Sequence, residues 1–134
     1  WQIMRALILI FIFSANELFA QGSIKATNGS GAILRTLDRI SGQVKDFQLE
    51  NGDIFVRGNM SVLMRECRYP SSSIDNDAFA FLTISGKISE KIIFEGWMIA
   101  SSPALSSLEH PRYDVWILKC LPYSKGNFMY QSAF

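Results

Sequence analysis

Apolar residues recur along the chain in short clusters, and glycine, proline, asparagine or serine separates most of them. Each cluster has the length of a β-strand, and the separating residues are those that form turns. Strands are therefore predicted over residues 33–38, 44–49, 54–56, 60–67, 78–84, 91–98 and 113–120. About seven short strands at turn-punctuated intervals predict an all-β fold, either a small antiparallel sandwich or a partly open barrel.

The last two predicted strands are joined by a stretch with the features of a short helix. Ser102 suits the capping position, and Pro103 suits the first helical position. Leu105 and Leu108 lie three residues apart, on one helical face. A His-Pro pair follows, where helical backbone is disfavoured. The pattern predicts one short helix over residues 103–109.

The strands with the highest apolar density are expected to form the core. The residues predicted to be mostly buried are Phe79, Phe81, Ile93, Trp97, Val115, Trp116 and Ile117. Adjacent residues of a strand face opposite sides, so Trp116 cannot share a face with both of its neighbours. Either both faces of that strand are covered, or Trp116 is partly exposed.

The N-terminal segment has a different character. It begins with Arg5, continues with an apolar run over residues 6–13, and closes with a polar stretch that ends in Ala20. This order is typical of a secretory signal peptide, here with cleavage after Ala20. A membrane anchor is the alternative, but the run is far shorter than the ~20 residues that cross a bilayer. The mature chain is therefore predicted to lack a transmembrane segment.

The predicted organisation has four parts. They are a signal peptide at 1–20, a flexible leader at 21–32, a single β domain at 33–120 and an aromatic tail at 121–134. The leader is rich in glycine, serine, threonine and asparagine and has no apolar period, which is typical of a flexible segment.

Charge and composition exclude some classes of function. Thirteen basic and twelve acidic residues leave a formal net charge of +1. No basic stretch is interleaved with aromatic residues, so nucleic acid is not a predicted partner. Two cysteines and one histidine do not supply a four-ligand zinc site, and neither a metal nor a cofactor is predicted. In an exported chain, an even number of cysteines predicts one disulfide. The two cysteines end apolar strands, which are therefore expected to be neighbours with Cα atoms less than ~7 Å apart.

Candidate chemistry concentrates in the stretch that contains the single histidine of the chain. Free N–H groups at the start of the short helix, with two serines beside them, suit an anionic group. A basic, an acidic and an imidazole side chain follow the helix and could line the same face. The predicted ligand-binding residues are Ser101, Ser102, His110, Arg112 and Asp114. The alternative is that Ser102 merely caps the helix.

A second interpretation joins a serine of this stretch to His110 and Asp114 as a hydrolytic triad. The stretch lacks the glycine-flanked serine of a nucleophile elbow, and no oxyanion hole is identifiable. An enzyme would also need a solvent-accessible His110 with a serine hydroxyl within hydrogen-bond reach. No catalytic residue is predicted, and a serine-dependent hydrolase is kept as the alternative function.

Longer motifs in the same region resemble those of a known family. The run GWMIASSPALSSLEHPRYDVWILKC, with ILRTLDRISGQV and ECRYP upstream, closely resembles the small exported proteins of Gram-negative bacteria grouped as domain of unknown function 2155. The resemblance covers residues 33–120. It implies a periplasmic protein in which Cys67 and Cys120 are the matching cysteine pair, and it implies no activity.

Together these observations predict a soluble, periplasmic, non-enzymatic binding or interaction module of the cell envelope. Its expected partner is an envelope protein or an anionic ligand. Such a module needs an exposed groove or an edge strand, whereas the alternative hydrolase needs an accessible His110 beside a serine.

Overall fold

The computed structural model describes residues 22–123, which form eight strands in two antiparallel sheets. The strands are β1 (Ala26–Gly29), β2 (Gly31–Asp38), β3 (Val44–Glu50), β4 (Ile54–Arg57), β5 (Met60–Pro70), β6 (Phe79–Gly86), β7 (Ile92–Ile99) and β8 (Tyr113–Leu121). The all-β prediction is confirmed in its sandwich form. The predicted signal peptide and residues 124–134 of the predicted tail lie outside the described residues.

The large sheet has the order β1-β5-β6-β7, and β4 also pairs with β5. This is possible because β5, with 11 residues, is long enough to pair with two short strands. β4 pairs with the N-terminal part of β5, and β1 pairs with its C-terminal part. The turn between β4 and β5 contains Gly58 at a φ of 57°, a conformation that favours glycine.

β1 lies in the stretch predicted to be a flexible leader, and the structure differs there. Residues 26–29 pair with residues 67–70 of β5, and β2 already begins at Gly31. The stretch shows no apolar period because only Gly29 of β1 is buried. This strand belongs to the sheet through backbone hydrogen bonds, which leave no apolar signature in the sequence.

The small sheet has the order β3-β2-β8. Its central strand β2 follows β1 after a single residue, Ser30, so the chain passes from one sheet to the other at this point. The 3₁₀ helix Pro103–Ser106 lies on the third crossing between the sheets, from β7 to β8. No helix among residues 22–123 has the length and apolar content needed to cross a membrane.

Cys67 of β5 and Cys120 of β8 form a disulfide with a Cα–Cα distance of 5.7 Å. The predicted bonding distance is confirmed. The two strands are neighbours across the sandwich and are not paired within a sheet, because β5 belongs to the large sheet and β8 to the small one. The bond therefore joins the two layers of the sandwich, and both cysteines are buried.

The core lies between the sheets and is built from alternate residues of the strands, most regularly in β6. In β6, Ala80, Leu82 and Ile84 point inward and are fully buried. Phe47 of β3 and Phe55 of β4 stack across the interface with ring centroids 4.2 Å apart. Leu34, Met60, Val62, Met64, Met98, Leu108, Val115 and Ile117 complete the tightly packed interior.

Two of the seven residues predicted for the core, Val115 and Ile117, are buried. The remaining predictions are wrong in part: Phe79, Phe81, Trp97 and Trp116 are half-buried, and Ile93 is 38% exposed. The reason is that these strands carry large apolar residues on both faces. Periodicity then marks the strand but does not say which face turns inward.

Candidate functional site

The predicted binding residues around the short helix do not converge on a free helix start. The helix spans four residues instead of the predicted seven, and Ser107 already has extended backbone angles. It ends early because Leu108 turns into the core, where it is 2% exposed. Ser102 makes no capping hydrogen bond through its side chain, so the capping interpretation is also wrong.

Ser101 is held by the loop before β6 rather than left open. Its backbone N–H donates to Oδ1 of Asp77 at 3.0 Å, and its hydroxyl donates to Oδ2 of the same carboxylate at 2.7 Å. The hydroxyl and N–H of Ser101 are therefore used in fixing the start of the β7–β8 crossing.

The other three predicted residues lie at the end of β2 in a polar cluster, which we call the His110 corner. It consists of Asp38, Arg39, His110, Arg112 and Asp114. Arg112 forms a bidentate pair with Asp38, with Nη2 and Oδ2 2.8 Å apart. Arg39 binds Asp114 at 3.2 Å and donates to the carbonyl of His110 at 3.1 Å. The structure thus brings His110, Arg112 and Asp114 together as an internally paired cluster.

His110 accepts two backbone hydrogen bonds with one ring nitrogen. The N–H groups of Arg112 and Tyr113 both donate to Nδ1, at 3.1 and 3.0 Å. A ring that accepts at Nδ1 is neutral and carries its proton on Nε2. Partial burial, with a smaller contribution from Arg39, lowers the pKa of His110 and favours this neutral form. Within residues 22–123, no serine hydroxyl is hydrogen-bonded to the ring.

The side chain of Asp38 is 8% exposed, whereas that of Arg112 is 47% exposed. The hydrogen bond from Arg112 holds the pKa of the Asp38 carboxyl far below its usual range, and the N–H groups of Ile40 and Ser41 assist. Arg112 has a raised pKa for the same reason. The prediction of an anion site at these residues stays a prediction, although this guanidinium already has a carboxylate partner.

Asp38→Asn is expected to make stability less dependent on pH. Because the pKa of Asp38 is lowered in the folded state, its stabilising effect is present above the unfolded value of ~3.9 and is lost as the pH falls below it. The variant should melt roughly 5 °C lower at pH 7, and the difference should shrink towards pH 2.5. Thermal unfolding from pH 7 to 2.5 measures this. Asp46→Asn is the control, because the Asp46–Arg35 pair is exposed and screened, and an equal shift there would contradict the assignment.

A second cluster, which the sequence did not single out, lies on the outer face of the large sheet. Glu66, Phe81 and Trp97 are aligned in one cross-strand row over β5, β6 and β7. Arg65 and Arg68 flank this row on β5. We call these five residues the Trp97 patch.

The aromatic rings of the Trp97 patch have a defined geometry. Phe81 meets Trp97 edge to face, with centroids 5.3 Å apart and planes at 78°. The guanidinium of Arg68 lies 5.2 Å from the Trp97 centroid and 3.1 Å from Glu66. Such contacts hold a large aromatic side chain in one orientation on the surface. Arg65, Glu66, Phe81 and Trp97 line an open depression of about 300 Å³.

A β-bulge places Arg65 in this patch. The register between β5 and β6 shifts between Met64 and Glu66, so Arg65 is an extra residue on β5. A bulge bends the strand and changes the direction of a side chain. Arg65 is exposed and has no ion-pair partner among residues 22–123. It is a free positive charge at the rim of an aromatic surface.

The outer face of the large sheet also carries apolar side chains on β4 and β5, beside the polar pair Thr83–Glu95. Leu63 is the neighbour of Ile54 on one side and of Thr83 on the other. Ile54 and Val56 are 61% and 46% exposed. The solvent-facing side of an antiparallel sheet is usually polar, so this face has the composition of a contact surface. Groups of three or more acidic, cysteine or histidine side chains placed to hold a metal ion are absent from residues 22–123.

Comparison with known proteins identifies relatives but no activity. Residues 32–120 match the model of a family described as "Uncharacterized protein conserved in bacteria (DUF2155)". Over 97 residues the chain is 30% identical to "Uncharacterized protein RP359" of Rickettsia prowazekii (strain Madrid E). That match covers 70% of this chain and 61% of the Rickettsia protein, so the chain spans about three fifths of its relative's length. No solved structure matches the chain.

Proposed function

The chain belongs to the DUF2155 family of uncharacterized bacterial proteins, and from this premise we propose that it is an exported, non-enzymatic interaction module. Its partner would be a protein that docks on the Trp97 patch. The observation that carries the proposal is a fixed, half-buried tryptophan beside a free arginine, on a sheet face that also exposes Ile54 and Val56.

Tryptophan, phenylalanine and arginine are the residue types enriched at the centre of protein interfaces. They bury much area at a small cost in side-chain entropy, and tryptophan and arginine dominate interface hot spots. Arg65 offers an uncompensated positive charge, so the contact region of the partner would carry a carboxylate near apolar side chains.

Export to the periplasm is part of the proposal. The pattern of residues 1–20 supports a signal peptide. The Cys67–Cys120 disulfide supports an oxidising compartment, where such bonds form and persist.

The hydrolase alternative has less support. A general base must have a free nitrogen lone pair facing the nucleophile, and Nδ1 of His110 is occupied by two backbone N–H groups. Nε2 carries the proton in that tautomer and is a donor. The hydroxyl of Ser101 is already bound to Asp77, which directs it away from a role as nucleophile.

Trp97→Ala is expected to weaken binding of the partner by about 2 kcal/mol or more, close to 30-fold in Kd. The matched control is Trp116→Ala, because Trp116 is also half-buried but lies on the outer face of the small sheet, opposite Arg35. The partner is first identified by photocrosslinking in living cells, with p-benzoylphenylalanine in place of Phe81 or, as a control, of the exposed Val44. Binding to the purified partner is then measured by calorimetry.

A specific crosslink at Phe81 that Val44 does not give, together with the loss in Trp97→Ala, would support the proposal. Equal binding by Trp97→Ala and wild type, with a loss in Trp116→Ala, would move the interface to the small sheet and contradict it.

A further inference from the structure

The crossing from β7 to β8, residues 100–112, is fixed very differently at its two ends. At the first end, Ala100 donates to the carbonyl of Ala78 and Ser101 is held by Asp77. From residue 107 to 111, the hydrogen bonds within the described part of the chain all involve His110. The remaining anchor there is the buried side chain of Leu108.

His110 closes this second end as a clasp. Its Nδ1 accepts hydrogen bonds from the N–H groups of Arg112 and Tyr113, and these bonds form a tight turn just before β8. Its carbonyl accepts a hydrogen bond from the guanidinium of Arg39, which follows the end of β2. The imidazole also packs against the Tyr113 ring, with centroids 5.3 Å apart. One side chain thus joins the crossing to the start of β8, and its backbone joins the crossing to β2.

The charges that surround the clasp are unfavourable to a protonated imidazole. Positive charges are contributed by Arg39 beyond β2, Arg57 of β4 and Arg112 before β8. The nearby carboxylates, Asp38 of β2 and Asp114 of β8, are each already paired with one of these arginines.

Two further titratable groups accompany the clasp. Glu109 directly precedes His110, and its side chain is exposed and forms no ion pair within residues 22–123. The other is the hydroxyl of Tyr113, whose ring contacts the imidazole. The corner therefore has no free, buried carboxylate that would stabilise a positive imidazole.

We propose that His110 is a pH-sensitive clasp: its protonation releases residues 107–111 from the start of β8 while the disulfide-bonded sandwich stays folded. A proton on Nδ1 turns the acceptor of two backbone N–H groups into a donor that faces two donors. Both hydrogen bonds are then lost, and a fourth positive charge enters a region with three arginines. The ring has to leave the turn.

The direction of the pH effect follows because the closed clasp requires the neutral form of His110. The clasp is closed while His110 is neutral, and it opens as the pH falls below the ordinary histidine value of about 6.5. Asp38 remains ionised over this range, because the hydrogen bond from Arg112 lowers the pKa of its carboxyl group. The release is therefore expected between neutral pH and about pH 5, above the range in which Asp38 is protonated.

The test is amide hydrogen exchange of the disulfide-bonded protein at pH 7.5 and pH 5, with protection factors corrected for the intrinsic rate at each pH. In the wild type, the protection of the Arg112 and Tyr113 amides should fall at least tenfold on acidification. Amides of β6, such as those of Leu82 and Ile84, should keep their protection, because they lie in the core of the large sheet.

Two variants distinguish an effect of His110 protonation from a nonspecific effect of low pH on the protein. His110→Asn keeps an acceptor oxygen near the position of Nδ1 and does not titrate, so its protection at residues 112 and 113 should be equal at both pH values. His110→Phe has no acceptor and should show low protection at both. An NMR titration of the wild-type His110 ring gives the midpoint, which should coincide with the loss of protection.

Unchanged protection in the wild type at pH 5, with the His110 ring protonated in the same sample, would overturn the inference. The same pH-dependent loss in His110→Asn would also overturn it, because the titrating group would then be another member of the His110 corner. Both outcomes are independent of whether a protein binds to the Trp97 patch.

Discussion

Replacing Cys67 and Cys120 by alanine is expected to lower the free energy of unfolding by about 4 kcal/mol. The two cysteines are 53 positions apart, so the bond closes a long loop and removes many conformations from the unfolded chain. The bond also joins the two layers of the sandwich, and both sulfur atoms are buried. For a domain of about 100 residues, whose total stability is ~5–15 kcal/mol, this loss is a large fraction.

The expected decrease in Tm is roughly 15–30 °C. It is measured by thermal and urea unfolding of the double variant and of the oxidised wild type. The m value should rise in the variant, because an unfolded chain without the crosslink exposes more surface. Thiol titration of the denatured, unreduced wild type should detect no free cysteine. Two free thiols, or a double variant as stable as the wild type, would contradict the role assigned to the bond.

Strand positions could be predicted from the sequence because short apolar clusters and turn residues act locally. The face that each strand buries could not. In β6, the alternate sets Phe79/Phe81 and Ala80/Leu82 are both apolar, and the smaller side chains are the ones that face the core. Only the packing of the second sheet decides between them, and that is a long-range property.

The Trp97 patch could not be predicted either, because it also depends on which face of each strand is buried. Apolarity alone places Phe81 and Trp97 in the core, and 15 positions of sequence separate Glu66 from Phe81, so their cross-strand row depends on register. A weak signal did exist. Met60, Val62 and Met64 are apolar at every second position, and Glu66 breaks this period before Cys67, which is compatible with a bulge.

Three residues of the His110 corner could be grouped from the sequence, but their ion-pair partners could not. His110, Arg112 and Asp114 are close in sequence, and the structure places them in one cluster. Their partners Asp38 and Arg39 lie more than 70 positions away at the end of β2. The pairing of β2 with β8 brings the two ends together, and short-range patterns do not contain that information.

Gly31→Ala is expected to destabilise the fold by about 3 kcal/mol or more. Gly31 starts β2, directly after the chain passes from the large sheet to the small one, and it pairs with Glu50 of β3 and Leu121 of β8. An added Cβ would overlap the carbonyl oxygen of Leu49 and approach Cα of Glu50 to 2.7 Å. These are backbone atoms, so a side-chain rotation does not relieve the overlap. The strands themselves must move apart.

The matched control is Gly22→Ala, because a Cβ at Gly22 would meet nothing within 4 Å. Both substitutions add one methyl group, and neither glycine has a positive φ, so neither introduces left-handed backbone strain. Urea unfolding should place Gly31→Ala far below the wild type and Gly22→Ala within ~0.5 kcal/mol of it. A Gly31→Ala variant as stable as its control would mean that β3 and β8 can move aside at the crossing. The tight junction would then contribute little to holding the two sheets, and with them the outer face that carries Trp97, in place.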